Sequence, residues 1–128
     1  MSYYLSKLLS VPFDEAVTRA TDCLTNEGFG ILTEIDVSAT LKKKIGVDYP
    51  AYRILGACNP ALAHEALMLE NKVGTMLPCN VVVRDAGNGQ TEVAAIDPVA
   101  SMQAIDKPAL KQAAAQVRTK LEKVIAGL

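Results

Sequence analysis

The chain has 128 residues, of which half are hydrophobic and 21% are charged, and its formal net charge is −1. This length and composition fit a single globular domain over residues 1–128 and exclude an intrinsically disordered chain. The balance of 13 basic against 14 acidic residues gives no general attraction for nucleic acid or for anionic membrane surfaces.

The first half of the chain alternates strand and helix signals. A strand is predicted over 3–9, and a helix follows over 13–27, where apolar residues recur on one helical face until Gly28. A second strand at 29–35 comes next. A short helix then ends at Gly46 and leads into turn residues.

The middle of the chain carries the clearest helix start. A strand is predicted over 51–57, and Asn59 then stands directly before Pro60. Asparagine is a favoured N-cap residue and proline suits the first helical position, so a helix is predicted over 60–71.

The last third begins with two strands, predicted over 76–85 and 91–96, and the Gly- and Asn-containing segment between them indicates a hairpin. Asp97 then opens a short helical turn, and a final helix is predicted over 108–126. The order β-α-β-α-β-α-β-β-α predicts the α+β class. We expect a single domain with a mixed, curved sheet of about five strands and with helices packed on one face.

Two cysteines are candidate site residues because of where the predicted elements place them. Cys58 lies between a strand end and a helix N-terminus, where backbone N–H groups and the helix dipole favour a thiolate. Cys79 follows Pro78 at the beginning of a strand. Both residues also fit the ordinary role of a free cysteine, that of a small buried hydrophobe. A parallel crossover would separate the two thiols, whereas an antiparallel return would bring them together.

His64, the one histidine of the chain, lies on the predicted helix 60–71 together with Met68. It could serve as a base for Cys58, pair with Met68 on a haem iron, or be a partly exposed residue paired with Glu65. Residue 64 points away from the helix start, so catalysis with Cys58 is the less favoured interpretation. One histidine and two widely spaced cysteines do not make a zinc motif, and we predict no metal site.

Three short motifs carry a family resemblance, and they stand in the same order as in the family: Cys58-Asn59-Pro60, Leu77-Pro78-Cys79 and Ile96-Asp97-Pro98. With them the chain resembles the bacterial family called domain of unknown function 302, most closely over residues 29–98. The resemblance implies a small α+β fold and a tendency to form homodimers, and it brings no established activity. Many members look like Gly-Asn-Pro at the first motif and lack the second cysteine, so this chain is similar to a cysteine-bearing branch.

Three functions stay open at this point. The first is a thiol-dependent binding or carrier protein that handles a reactive sulfur species, a metal or an electrophile. The second is a non-catalytic module that binds a small anion at the helix N-terminus, and the third is a homodimeric interaction protein. The predicted ligand-binding residues are Cys58, Asn59, Pro60, Cys79 and Asn80.

The compartment is predicted from the N-terminal residues and the cysteines. No apolar stretch of signal-peptide length precedes Asp14, and no segment approaches the ~20 apolar residues of a membrane helix. Three cysteines do not suit a closed disulfide framework. We therefore expect a protein of the reducing cytoplasm.

Overall fold

Five strands form one sheet in the computed structural model, which describes residues 2–128. The strands are β1 (Tyr4–Leu9), β2 (Gly30–Asp36), β3 (Tyr52–Cys58), β4 (Cys79–Gly87) and β5 (Gln90–Ile96). Their order across the sheet is β1-β5-β4-β3-β2. The α+β class and the predicted element order are confirmed.

Five α-helices accompany the sheet within the described part of the chain. They are α1 (Phe13–Asn26), α2 (Val37–Ile45), α3 (Pro60–Leu69), α4 (Pro98–Ser101) and α5 (Pro108–Ala126). A single 3₁₀ turn at Val73–Met76 follows α3. None of these helices is both long and apolar enough to cross a membrane.

Every pair of neighbouring strands is antiparallel, so the prediction of a mixed sheet is wrong. The reason lies in where the helical connections lead. Helix α1 joins β1 to β2, which lie at opposite edges of the sheet and never pair. Helices α2 and α3 each return the chain to the adjacent strand in the opposite direction, which gives an antiparallel neighbour.

Strand β4 begins at Cys79, three residues later than predicted, because the 3₁₀ turn and Pro78 occupy the preceding positions. A proline has no N–H to donate to a strand ladder. The hairpin between β4 and β5 is confirmed. Asn88 and Gly89 form its two-residue turn with φ of 55° and 74°, the left-handed geometry that favours Asn-Gly.

Helices α1 and α5 pack on one face of the sheet, which we name the covered face. Its residues in the central strands include the fully buried Val81, Val83, Val93 and Ala95. They pack against buried residues of the two helices in one core cluster. Each buried valine contributes about 1.5–3 kcal/mol to folding, so this face carries most of the apolar stabilisation.

The alternating residues of the same strands lie on the opposite side, which we name the open face. Its central row crosses the sheet through Ile35, Ile54, Val82 and Ala94, which are paired in register. These side chains are exposed or half-buried. Helices α1 and α5 leave this face uncovered, because a strand directs successive side chains to opposite sides.

Candidate functional site

The antiparallel pairing of β3 with β4 brings the first two sequence motifs together. Ala57 pairs with Cys79 in register, so Cys58, the next residue, lies beside Cys79 where the strands end. Of the two alternatives for the thiols, the antiparallel return is therefore the correct one. All three cysteines are free thiols.

A small cavity lies between α3, α5 and these strand ends, and we name it the α3 cavity. Its volume is about 30 Å³, room for about two water molecules. Its walls include Cys58, Asn59, Leu62, Ala66, Cys79 and Ala114. Because most of these groups are apolar, the cavity suits a small apolar group better than water.

Cys79 is the inner thiol of the site. Its side chain is 7% exposed. Burial, and to a lesser extent the neighbouring Cys58, raises the pKa of Cys79 to about 11. A buried thiolate lacks solvation, so the neutral form is favoured. Cys79 therefore stays a thiol at neutral pH and does not act as a nucleophile.

Cys58 is the accessible thiol, because it is half-buried at the end of β3. It precedes Asn59, the residue that caps α3. Across residues 2–128 no hydrogen bond joins Cys58 to His64. The geometry therefore provides an approachable sulfur at the cavity wall and no paired base.

Asn59 caps α3 as predicted. Its side-chain Oδ1 accepts a hydrogen bond of 3.3 Å from the Leu62 N–H, and its backbone oxygen accepts one from Ala63. Pro60 has no N–H to offer. The first turn thus retains one N–H, that of Ala61, and a single donor is a weak basis for binding an anion.

Several predicted residues lie away from the cavity. Pro60, His64 and Met68 are exposed on α3. His64 and Met68 are one turn apart on the same helical face, whereas two axial haem ligands approach iron from opposite sides. These two residues therefore do not fit a haem. Within residues 2–128, no three metal-ligating side chains come together.

Asn80 is exposed and lies on the open face, on the opposite side of β4 from Cys79. The prediction grouped Asn80 with Cys79 because they are adjacent in sequence. Adjacent strand residues point to opposite faces, and of these two only Cys79 lines the cavity. The α3 cavity thus brings together Cys58, Asn59 and Cys79 of the five predicted ligand-binding residues.

The third sequence motif has a structural role that sequence reasoning missed in part. Asp97 is 3% exposed, and its Oδ1 accepts a hydrogen bond of 2.9 Å from Val99 at the start of α4. Its Oδ2 accepts a 3.0 Å hydrogen bond from Nε of Arg118 on α5. The sequence predicts that Asp97 caps a helical turn, but no sequence pattern predicts its partner Arg118, which is 21 residues away.

Sequence reasoning also missed Met102, which lines the α3 cavity from the end of α4 and is buried. No motif or periodicity marked this residue, because it follows a four-residue helix too short to show a pattern.

Comparison with known proteins extends over nearly the whole chain. The profile of the family described as "Domain of unknown function DUF302" matches residues 5–128. A crystal structure of an uncharacterized conserved protein DUF302 from Bacillus stearothermophilus is similar, with a TM-score of 0.91 and 30% sequence identity. That likeness covers 99% of this chain and 98% of the other. No curated protein matches the chain.

Proposed function

The chain belongs to the DUF302 family, and on that premise we propose that this member is a small thiol-dependent binding protein that captures an electrophile at Cys58. The family and its solved member carry no specific activity, so the proposal rests on the site itself. It assumes a reducing compartment such as the cytoplasm, where Cys58 stays a free thiol.

The observation that supports this proposal most is the unequal pair of thiols at one apolar cavity. Cys58 is approachable from solvent, whereas Cys79 is buried and held in its neutral form. An electrophile with a small apolar body gains from leaving water at such a place. The cavity then holds that body while the accessible sulfur reacts.

The covalent step is a conjugate addition to an α,β-unsaturated carbonyl compound. The Cys58 sulfur forms a bond to the terminal alkene carbon, and the π bond breaks. The α-carbon then takes up a proton from water, which replaces the proton that the thiol lost to solvent. The reverse reaction releases the compound unchanged, so the protein carries its ligand without consuming it.

The first experiment treats the folded protein with methyl vinyl ketone at neutral pH and follows each cysteine by mass spectrometry. We expect Cys58 to react at least about tenfold faster than Cys79, because the Cys79 thiolate is scarce and buried. Cys23, half-buried on α1, reports the reactivity of a thiol of the same exposure class that lines no part of the cavity. Cys58→Ser removes the fast phase.

A second variant tests whether the cavity takes part. Ala66 is buried in the cavity wall, so Ala66→Leu fills the space, whereas Ala115→Leu adds the same atoms to the exposed side of α5. We expect Ala66→Leu alone to slow the Cys58 reaction. If both variants react like wild type, or if Cys58 reacts no faster than Cys23, the proposal is wrong.

A second function is favoured by the open face, which we propose as the contact surface of a homodimer. Its central row is aliphatic, and Ile35 in that row and Tyr4 and Leu8 beside it are more than two-fifths exposed. Exposed apolar surface that is contiguous across a sheet is rare on monomers and marks a contact site. We assign a second copy of this chain as the occupant.

Area and charge both bear on a second copy. Five strands of about six residues present a face of about 20 Å by 19 Å, so two stacked copies cover about 760 Å² in all, the size of a weak contact. The charges on this face, Arg84 and Glu92, neutralise each other in a 2.7 Å ion pair. A neutral face can meet its own copy about a two-fold axis without repulsion.

Sedimentation over a range of concentrations tests the dimer. A contact of this size is weak, so we expect the dimer to form only at high protein concentration. Val82→Lys places a charge in the central row and should give a monomer, whereas Gln116→Lys on the exposed side of α5 should leave the dimer intact. A monomer at all concentrations, or equal effects of both lysines, rules out this interface.

A further inference from the structure

A surface recess lies next to the α3 cavity and has a volume of about 230 Å³. Met102 and Ala114 line both spaces. The Met102 side chain, 6% exposed, thus forms part of the boundary between the recess and the cavity that Cys79 also lines. Its backbone is fixed, because Met102 N–H donates to Pro98 and its oxygen accepts from Ile105.

The rim of the recess is polar, in contrast to the cavity behind it. Gln103 and Lys111 are exposed there. The Lys111 ammonium lies 3.8 Å from a carboxylate oxygen of Asp106, which is itself fully exposed. Such a long and solvated ion pair is weak, so Lys111 is free to turn toward an anion in the recess.

We infer that the recess is the entrance to the α3 cavity for a short-chain carboxylate, with Lys111 binding the head group and Met102 acting as the gate to the tail. By the measure used for the α3 cavity, the recess has room for about fifteen water molecules, enough for a carboxylate of about eight heavy atoms such as hexanoate. Methionine has three rotatable bonds, so its side chain can swing aside with its backbone in place. The inference rests on the proposed function only in using the same cavity.

The head-group assignment is tested with hexanoate and with 1-hexanol as its neutral counterpart, by NMR titration of the folded protein. Lys111→Gln should weaken hexanoate binding about twofold to fivefold, the range of one solvent-exposed ion pair, and leave 1-hexanol unchanged. Lys123→Gln, near the far end of α5, is the control and should change neither. Equal affinities of wild type and Lys111→Gln for hexanoate overturn the assignment.

The gate is tested through Cys79. Met102→Ala should speed the alkylation of Cys79 by iodoacetamide at least about tenfold, and saturating hexanoate should reverse that gain. Met102→Ala also loosens the core, so Val73→Ala is the matched control: Val73 belongs to the same buried cluster but lines neither space. If Val73→Ala exposes Cys79 as much as Met102→Ala does, general loosening explains the result and the gate is wrong.

The two proposals fail separately. Rapid capture of methyl vinyl ketone at Cys58 without any binding of hexanoate would support the proposed function and would show that the recess is not an entrance for carboxylates. Binding of hexanoate that depends on Lys111, in a protein whose Cys58 is unreactive, would support the entrance and would contradict the covalent function.

Discussion

The two faces of the sheet are built from the same strands and similar residues, yet they differ in what covers them. In β4, Val81 and Val83 are fully buried beneath the helices, whereas Val82 between them is half-buried on the open face. In β3, Leu55 is 1% exposed and its neighbour Ile54 is not buried. Residue type alone therefore does not decide which side of this sheet holds the core.

The two faces also divide the proposed functions. The covered face ends in the α3 cavity, where Cys79 closes the inner wall. The open face ends in tyrosines and a surface charge pair. We therefore look for a ligand on the covered face and for a protein partner on the open face.

The largest expected effect is a difference between two neighbouring residues of β3. Leu55→Ala should lower the free energy of unfolding by about 3–4 kcal/mol, because it leaves a cavity in a close-packed core. Ile54→Ala on the open face should cost about 1 kcal/mol in the monomer, because its side chain is already partly hydrated. Urea unfolding at low protein concentration measures both, and equal losses would contradict the division of the faces.

The next effect concerns pH and the covered face alone. The pKa of Cys79 is about 11 in the folded protein, above about 8.5 for an unfolded cysteine. Below about pH 8.5 the thiol is protonated in both the folded and the unfolded state, so it does not make the stability depend on pH. Above it the unfolded state loses the proton first, so about 2–3 kcal/mol of stability is lost as pH rises to about 11.

Other groups titrate in the same pH range. The measurement is therefore the difference in the free energy of unfolding between wild type and Cys79→Ala. We expect that difference to be constant below pH 8 and to change by about 2–3 kcal/mol toward pH 11. A difference that does not vary with pH would mean that water reaches Cys79 through the cavity.

A third prediction concerns Gly56, a place where the open face is tightly packed. A Cβ atom at Gly56 would meet Thr33 Oγ1 and would lie 2.8 Å from Pro78 Cγ. Gly56→Ala should therefore cost about 1–3 kcal/mol through overpacking. Gly30→Ala on β2 is the matched control, because nothing lies within 4 Å of its Cβ position. If both alanines cost the same, general strand effects explain the loss.

The sequence predicted the fold class, the element order and the start of α3 at Asn59-Pro60, because these depend on local periodicity and capping. It did not predict an all-antiparallel sheet, because strand direction is decided by which strands become neighbours after α1 crosses the sheet. The run Val81-Val82-Val83 is apolar throughout, so no alternation distinguished the two faces.

The candidate site was predicted in part for the same reason. Cys58 and Asn59 follow from the helix start, and Cys79 joins them through strand pairing that the sequence left open. Met102 and the Asp97–Arg118 ion pair arise from how α4 and α5 fold back over the sheet. Contacts of this kind join residues that are far apart in sequence, so no local sequence pattern predicts them.

The smallest effect separates an isolated open face from one that is buried in a dimer. Arg84 and Glu92 are opposed in register, and the hydrogen bond to Glu92 raises the pKa of Arg84. In the monomer, a double-mutant cycle with Arg84→Ala and Glu92→Ala should give a small coupling that weakens with salt. The same cycle at concentrations that favour dimer should give a larger and less salt-sensitive coupling, because a second copy excludes water from the pair. A coupling that stays small and screened at every concentration would mean that the open face remains in solvent, and the proposed interface would then be wrong.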